Sequence, residues 1–416
     1  MKKRALLIAF HFPPQAASSG IQRTLSFSKN LGNHDWDPIV LSAHPRAYST
    51  QNPTQLASIP PGMVVRRAFS LDTKHHLGIK GRYLEALALP DRWVSWAFGA
   101  IPAGLRLIRQ HRPQVIWSTF PIATAHLIGL ALHRATGLPW IADFRDPMLQ
   151  ISYPTSSGQR RIYGWIEHQT ITRCHTAVFT THSAMQSYRE RFPHLPASKF
   201  KVIENGYDED GFGADATAAP QAAPGADMRR MTLVHSGVLY QSGRDPGAFM
   251  EAIARLKAQG EVDAARLRVI LRAPGAMEDI QARAVKHGVE DIVEVAPAVP
   301  YKLALQEMLA ADGLLVFQGT PFNTQVPAKI YEYFRARKPI LALVDPVGET
   351  AHVLRTAGFA DIADMDSAAS IAPVLRDFIS QVGSGSAKIA SEDLIKSSSR
   401  QQRASELASL FDAAVN

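Results

Sequence analysis

Short apolar runs alternate along this chain with longer stretches of helical period. The first run is Ala5-Leu6-Leu7-Ile8-Ala9-Phe10, and comparable runs place strands at 5–10, 37–42, 64–67, 115–119, 139–142, 176–180 and 201–204. A loop over 11–20, rich in Pro and Ser, leads into a predicted helix over 21–31. Strand-length runs separated by helical stretches are the signature of parallel α/β architecture. From 213 to 227 the chain turns to Ala, Pro, Gly and Gln with no periodicity, the composition of a linker. The pattern then restarts, with strands at 231–236, 267–271, 292–295, 313–317, 339–344 and 359–362. A turn over 237–243 precedes a helix over 245–258, with Pro246 near its first position. The tail, 397–415, reads as one amphipathic helix.

The expected organisation is therefore two similar α/β domains, 1–212 and 231–396, joined by a linker at 213–230 and followed by a helical segment, 397–416. Ligands of such sheets sit at the carboxyl ends of strands and over helix N-termini. With two facing halves the natural site is a cleft lined by the loops 11–20 and 237–244.

Composition adds three constraints. A hydrophobic fraction of 46% and a charged fraction of 20% are those of a globular protein, and no apolar run approaches the ~18 residues of a membrane span. The single cysteine, Cys174, forbids an intrachain disulfide and fits a reducing compartment. Lys2-Lys3-Arg4 ahead of the first apolar run lacks the length and cleavage site of a signal peptide, so the run reads as a buried strand. The net charge of +8 is uneven: 24 Lys and Arg face 13 Asp and Glu up to Phe212, against 21 and 24 beyond it. A basic first half points to an anionic partner. Without a nucleic-acid-binding motif, an anionic membrane surface fits better than nucleic acid.

Several motifs can carry chemistry. Lys329 and Glu332 lie three apart on a predicted helix, either as a surface ion pair or as a clamp on a phosphate and a sugar. Gly237 to Arg244 forms a loop whose glycines admit close backbone approach, and Arg244 either grips a diphosphate or pairs with Asp245. The loop ending Ser18-Ser19-Gly20 opens a helix, so it is either an anion cradle or an ordinary capped turn. Arg23, in the first turn of that helix, aims into the cleft or into solvent. Asp143-Phe144-Arg145-Asp146 follows a strand, as a reactive constellation or as a structural ion-pair knot. Three aromatics beside Arg92 (Trp93, Trp96 and Phe98) are either core or a membrane contact. No phosphate-binding G-x-x-x-x-G-K motif and no metal-ligand spacing occurs, and the three D-x-D matches are not read as metal sites.

Taken in order, these residues resemble the GT-B-fold glycosyltransferases of family 4, the retaining, nucleotide-sugar-dependent group of bacterial polysaccharide assembly. The resemblance runs over nearly the whole length. It is carried by Phe12-Pro13-Pro14 with Ser19-Gly20, by Val202-Ile203-Glu204-Asn205-Gly206-Tyr207-Asp208, by His235-Ser236-Gly237 through Arg244, and by Lys329-Ile330-Tyr331-Glu332-Tyr333 with Lys338-Pro339-Ile340. Asp143 to Pro147 is similar to a signature of one branch of the group.

The resemblance implies two Rossmann-like domains facing each other across a cleft, with the C-terminal helix crossing back onto the first. It implies transfer of a sugar from a nucleoside-diphosphate donor to a glycan or a lipid-linked (polyisoprenyl) acceptor in cell-envelope synthesis, without a metal ion or other cofactor. Arg244 and Lys329 would hold the diphosphate and stabilise the leaving group, and Glu332 would take the ribose hydroxyls. Ser19, Gly20, Gly237, Ala298, Val299 and Thr324 complete the donor set. Arg23, Thr119, His126 and Arg145 stand on the acceptor side, and Asp143 or Asp146 would assist the chemistry. The expected location is cytoplasmic, peripheral on the inner face of the membrane. Two departures matter. Thr324 stands where the family has the first acidic residue of its E-x7-E pair, and Thr119-Phe120 occupies a position where a histidine is usual. These leave two alternatives open, a non-catalytic subunit that binds sugar nucleotides and a nucleotide-sugar epimerase.

Overall fold

A computed structural model describes residues 2–16, 20–78, 82–150, 153–212 and 230–416. The chain divides into two compact units, Met1–Asn205 with Arg400–Asn416, and Gly206–Ser399. The expected linker lies outside the described residues, apart from Arg230.

The first unit is a seven-stranded parallel sheet of β1 (Lys3–Ile8), β2 (Trp36–Ala43), β3 (Val64–Ala68), β4 (Val115–Thr119), β5 (Trp140–Arg145), β6 (Thr176–Phe179) and β7 (Phe200–Val202). Their spatial order is β3-β2-β1-β4-β5-β6-β7. Side chains alternate across the sheet, so Leu6, Ile8, Ile39, Leu41 and Ile116 enter one core. Ala5, Leu7, Val40, Val115 and Trp117 enter the other. The last helix, Arg400–Val415, closes this second core with Leu407 and Phe411, both fully buried. Phe411 meets Trp36 edge-on at 5.1 Å, and each such side chain contributes about 1.5–3 kcal/mol by burial. The tail thus belongs to the first unit as one helix, which begins at Arg400 rather than at Ser397. A separate short helix, Glu392–Ser397, precedes it and is capped by Ser391 accepting from the Leu394 N–H.

The second unit has six parallel strands, β8 (Met231–Ser236), β9 (Leu267–Arg272), β10 (Val293–Ala296), β11 (Gly313–Gln318), β12 (Ile340–Val344) and β13 (Ile362–Ala363), in the order β10-β9-β8-β11-β12-β13. Leu233, Leu315, Leu341 and Leu343 face one core. Val234, Leu314, Val316 and Ala342 face the other. Residues 206–212, expected in the first domain, belong here. Tyr207 and Phe212 pack into the second core, and the Glu209 carboxylate accepts from Arg335 Nε at 2.9 Å on both oxygens. The division therefore falls before Gly206 rather than after Phe212.

In each sheet the strand order reverses once, between β1 and β4 and between β8 and β11. Open parallel sheets place ligands beyond the carboxyl ends of strands at such points. Among the described residues no helix is long and apolar enough to cross a membrane.

Candidate functional site

At the second unit's reversal, β8 ends in His235-Ser236-Gly237 and β11 ends in Gln318-Gly319. The helix Lys329–Ala336 follows the loop after β11, and its first side chain reaches the end of β8. Lys329 Nζ donates to the Ser236 carbonyl at 2.7 Å and lies 3.3 Å from His235 Nε2. His235 is fully buried, and its Nδ1 lies 3.0 Å from the Leu315 carbonyl, so Nδ1 carries the proton and Nε2 accepts from the lysine. Burial and the Arg244 cation, opposed by Glu332, push the Lys329 ammonium down to about 7. Gly237 sits at φ 126°, and a Cβ there would stand 2.9 Å from Lys329 Nζ. Only glycine leaves this approach open.

Arg244 is held on three sides. Its guanidinium stands over the rings of Tyr240 and Phe322 at 5.4 and 5.0 Å, and its Nη2 donates to Gln318 Oε1 at 2.7 Å. Buried Nε has no partner among the described residues. The alternative pairing with Asp245 does not occur; Asp245 accepts from Arg283 Nη1 at 2.6 and 2.8 Å. Lys329 and Arg244 thus bring two cations to one strand-end corner, each oriented by neutral groups rather than by a carboxylate.

Glu332 accepts from the Tyr301 hydroxyl at 2.7 Å. Tyr301 opens the helix after the loop that carries Ala298 and Val299, so this bond brings the loop and the Glu332 helix together. Thr324 is exposed on the loop after β11. That loop is stapled down: Gln318 Nε2 donates to the Gln325 carbonyl at 2.9 Å, and Asp345 accepts from Asn323 Nδ2 and Thr320 Oγ1 at 2.8 and 2.9 Å.

The first unit's reversal carries a different cluster. Arg23, neither solvated nor free, is buried and donates in fork geometry to Asp143 at 3.0 and 2.9 Å, and to the carbonyls of Ile203 and Glu204 at 3.0 Å. Thr119 Oγ1 adds a bond to the same carboxylate at 2.8 Å. Arg23, Asp143 and Thr119 therefore form the structural knot, tying the helix Gly20–Asn30 to β4, β5 and the chain beyond β7.

His126 is also internal: Trp140 Nε1 donates to Ser118 Oγ at 2.8 Å, and Ser118 Oγ lies in hydrogen-bond contact with His126 Nδ1 at 2.8 Å. Burial pushes its imidazolium down to about 3. The remaining candidates stay at the strand ends. Arg145, at φ 59°, closes β5, and its carbonyl accepts from Thr180 N–H and Oγ1 at 3.1 and 2.9 Å. Burial raises the Asp146 carboxyl, with Arg145 opposing. A Cβ on Gly20 would stand 2.6 Å from His11 Nδ1 and 2.9 Å from Arg145 Nη1, so glycine lets this helix start close on both. Ser19 lies outside the described residues.

Sequence reasoning did not single out Gln318, Tyr301 or His11, and it quoted His235 only within the motif that carries the resemblance. Three of them are polar residues at the carboxyl end of an apolar run (Gln318 of β11, His235 of β8, His11 beyond β1), and that position was the available signal. Among the described residues, no three His, Cys, Asp or Glu side chains come together as a metal site would require.

Residues 22–206 match the family described as "Glycosyl transferase 4-like domain". That match spans most of the first unit. No protein of curated function matches the chain in sequence. Solved structures match over nearly its whole length. A glycosyltransferase from Rickettsia africae ESF-5 has a TM-score of 0.68 at 12% identity, covering 100% of both chains. HepE of Anabaena, solved in complex with UDP and glucose, has 0.65 at 13%, covering 99% of this chain and 100% of its own. WaaG, a glycosyltransferase involved in lipopolysaccharide biosynthesis, has 0.56 at 15%, covering 99% and 97%. The two parallel-sheet units beside the glycosyl transferase 4-like domain match are those of the GT-B fold.

Proposed function

We propose that this chain is a glycosyltransferase that moves a sugar from a nucleoside diphosphate to an acceptor hydroxyl, with retention and without a metal ion. The observation that carries the reading is the corner made by Lys329, Arg244 and Gly237, two convergent cations and an open backbone at a strand-order reversal. A diphosphate placed there meets two cations in the role a divalent ion plays elsewhere. As the bond from sugar C1 to the diphosphate oxygen breaks, charge gathers on that oxygen, and the cations stabilise it. The acceptor oxygen bonds to C1, and its proton passes to the departing diphosphate. Glu332 takes the ribose hydroxyls in place of Tyr301. The first unit holds a glycan or polyisoprenyl-linked acceptor, with Arg145, Asp146 and His11 as its strand-end polar groups. The UDP and glucose bound by HepE support the donor class.

Calorimetry with UDP, GDP and dTDP tests this. Arg244→Ala and Glu332→Ala should each weaken the preferred nucleotide by about 1.5–3 kcal/mol, the worth of a charged hydrogen bond. Unchanged affinity in both variants would overturn the assignment. A binding subunit without turnover is a second reading, motivated by Thr324 at the usual acidic position. Nucleotide release from a donor sugar by the isolated protein rules it out.

A further inference from the structure

The carboxylate assigned to the ribose already carries a hydroxyl. Tyr301 Oη donates to Glu332 Oε1 at 2.7 Å, the kind of bond a sugar hydroxyl would make there. Tyr301 is 46% exposed, so its phenol can rotate towards solvent without opening a core. Other contacts hold the backbone around it. Tyr301 is the first residue of the helix Tyr301–Ala310 and follows Pro300. Arg272, at the end of β9, ties this segment down: its Nη1 donates to the Pro297 carbonyl at 2.9 Å, and its Nε donates to Glu307 of the same helix at 2.8 Å. The ring rests beside Gly211, where a Cβ would stand 3.2 Å from Tyr301 Cε1. The hydroxyl can therefore change partner while the loop and the helix stay in place.

A ribose presents two adjacent hydroxyls, and a carboxylate accepts such a pair with one on each oxygen. A ribonucleotide must therefore displace the phenol from Oε1. One hydroxyl bond is exchanged for another, with little net gain. A 2′-deoxyribose brings a single hydroxyl to the carboxylate. It can be accepted while Tyr301 keeps its place, so the bond already made to Glu332 is not lost. Sites built to hydrogen-bond a hydroxyl reject the analogue lacking it because a polar group of the site is then left unpaired. Here the phenol removes that penalty.

We infer that Tyr301 determines specificity at the sugar of the nucleotide. Its hydroxyl stands in for a missing 2′-hydroxyl, so the site takes ribo- and deoxyribonucleoside diphosphates with similar affinity. The inference rests on the reading that Glu332 binds the ribose, and it deepens that reading. Tyr301 acts through Glu332, as a positioning residue.

Calorimetry of the full chain with UDP against dUDP, and with GDP against dGDP, tests it, because the ratio within a pair does not depend on the base. The unsubstituted protein should bind the two members of a pair within about threefold, the result of exchanging like bonds. Tyr301→Phe keeps the ring and deletes the hydroxyl. It should tighten the ribonucleotide about five- to tenfold, since no bond has to be given up, and leave the deoxyribonucleotide unchanged, because the deleted bond is then absent both before and after binding. A merely structural role would move both members alike. In a Glu332→Ala background, Tyr301→Phe should no longer alter the ratio. Discrimination of about tenfold or more by the unsubstituted protein, or a ratio that Tyr301→Phe leaves unmoved, would overturn the inference while Glu332→Ala still weakens binding. Glu332→Ala that binds UDP as tightly as the unsubstituted protein would instead overturn the ribose assignment beneath it.

Discussion

Arg244 Nη2 donates to Gln318 Oε1 at 2.7 Å, and the same amide's nitrogen donates to the Gln325 carbonyl at 2.9 Å. One buried side chain at the end of β11 therefore fixes both the candidate diphosphate-binding arginine and the loop that carries Thr324. Gln318→Leu removes both bonds without changing the strand's apolar character. UDP affinity should fall about tenfold, the scale of one hydrogen bond to a charged group. Calorimetry decides it, and an unaltered affinity would show that the aromatic pair of Tyr240 and Phe322 suffices to orient Arg244.

Lys329 makes the site sensitive to pH. Its ammonium is pushed down to about 7 by burial and Arg244, so above that pH the free site is largely neutral at this position. A bound diphosphate favours the charged form, so binding takes up a proton above pH 7 and affinity should fall as pH rises from about 7. The enthalpy of binding should also vary with the buffer's ionisation enthalpy. Lys329→Met should abolish both effects. For folding the sign is opposite to that of a stabilising pair: the unfolded lysine holds its proton up to about 10.4, so Lys329 makes the second unit more stable as pH rises from 7 towards that value.

At Gly237 the site and the backbone impose the same requirement. The left-handed φ of 126° and the 2.9 Å approach of Lys329 Nζ both oppose a Cβ. Gly237→Ala should destabilise the second unit by about 1–3 kcal/mol, the cost of a strained backbone conformation. It should also displace Lys329 and weaken UDP binding. All six tryptophans lie in the first unit, so this loss should be visible by circular dichroism and hydrogen exchange of β8 but silent in tryptophan fluorescence.

Why the strands were legible and the knots were not follows from the range of the forces involved. Strands buried on both faces need continuous apolar runs, and 115–119 and 231–236 were read with the bounds found. The first strand was placed two residues late because Lys3 and Arg4 belong to it, their charges satisfied by Asp412 and by the His111 carbonyl. The tail's periodicity continues across Ser398 and Ser399, so the break before Arg400 left no mark in the pattern. Lys329 and Glu332 share one helix and could be paired by spacing. Arg244 and Gln318 lie 74 residues apart, and nothing local connects them.

Arg23 and Asp143 are the first unit's counterpart, joined across 120 residues of sequence with side chains 6% and 0% exposed. Removing one partner strands a buried charge. Arg23→Ala should cost about 3–5 kcal/mol, and Asp143→Ala a similar amount. Replacing the pair together, as Arg23→Met/Asp143→Leu, should cost less than the sum, because neither charge is then left unpaired. Urea unfolding followed by tryptophan fluorescence reads this unit alone. UDP affinity should stay unchanged in every variant that folds, because the candidate donor cluster lies in the other unit. A single variant that kept its urea midpoint but lost transfer to acceptor would instead return Asp143 to the chemistry and remove it from the scaffold.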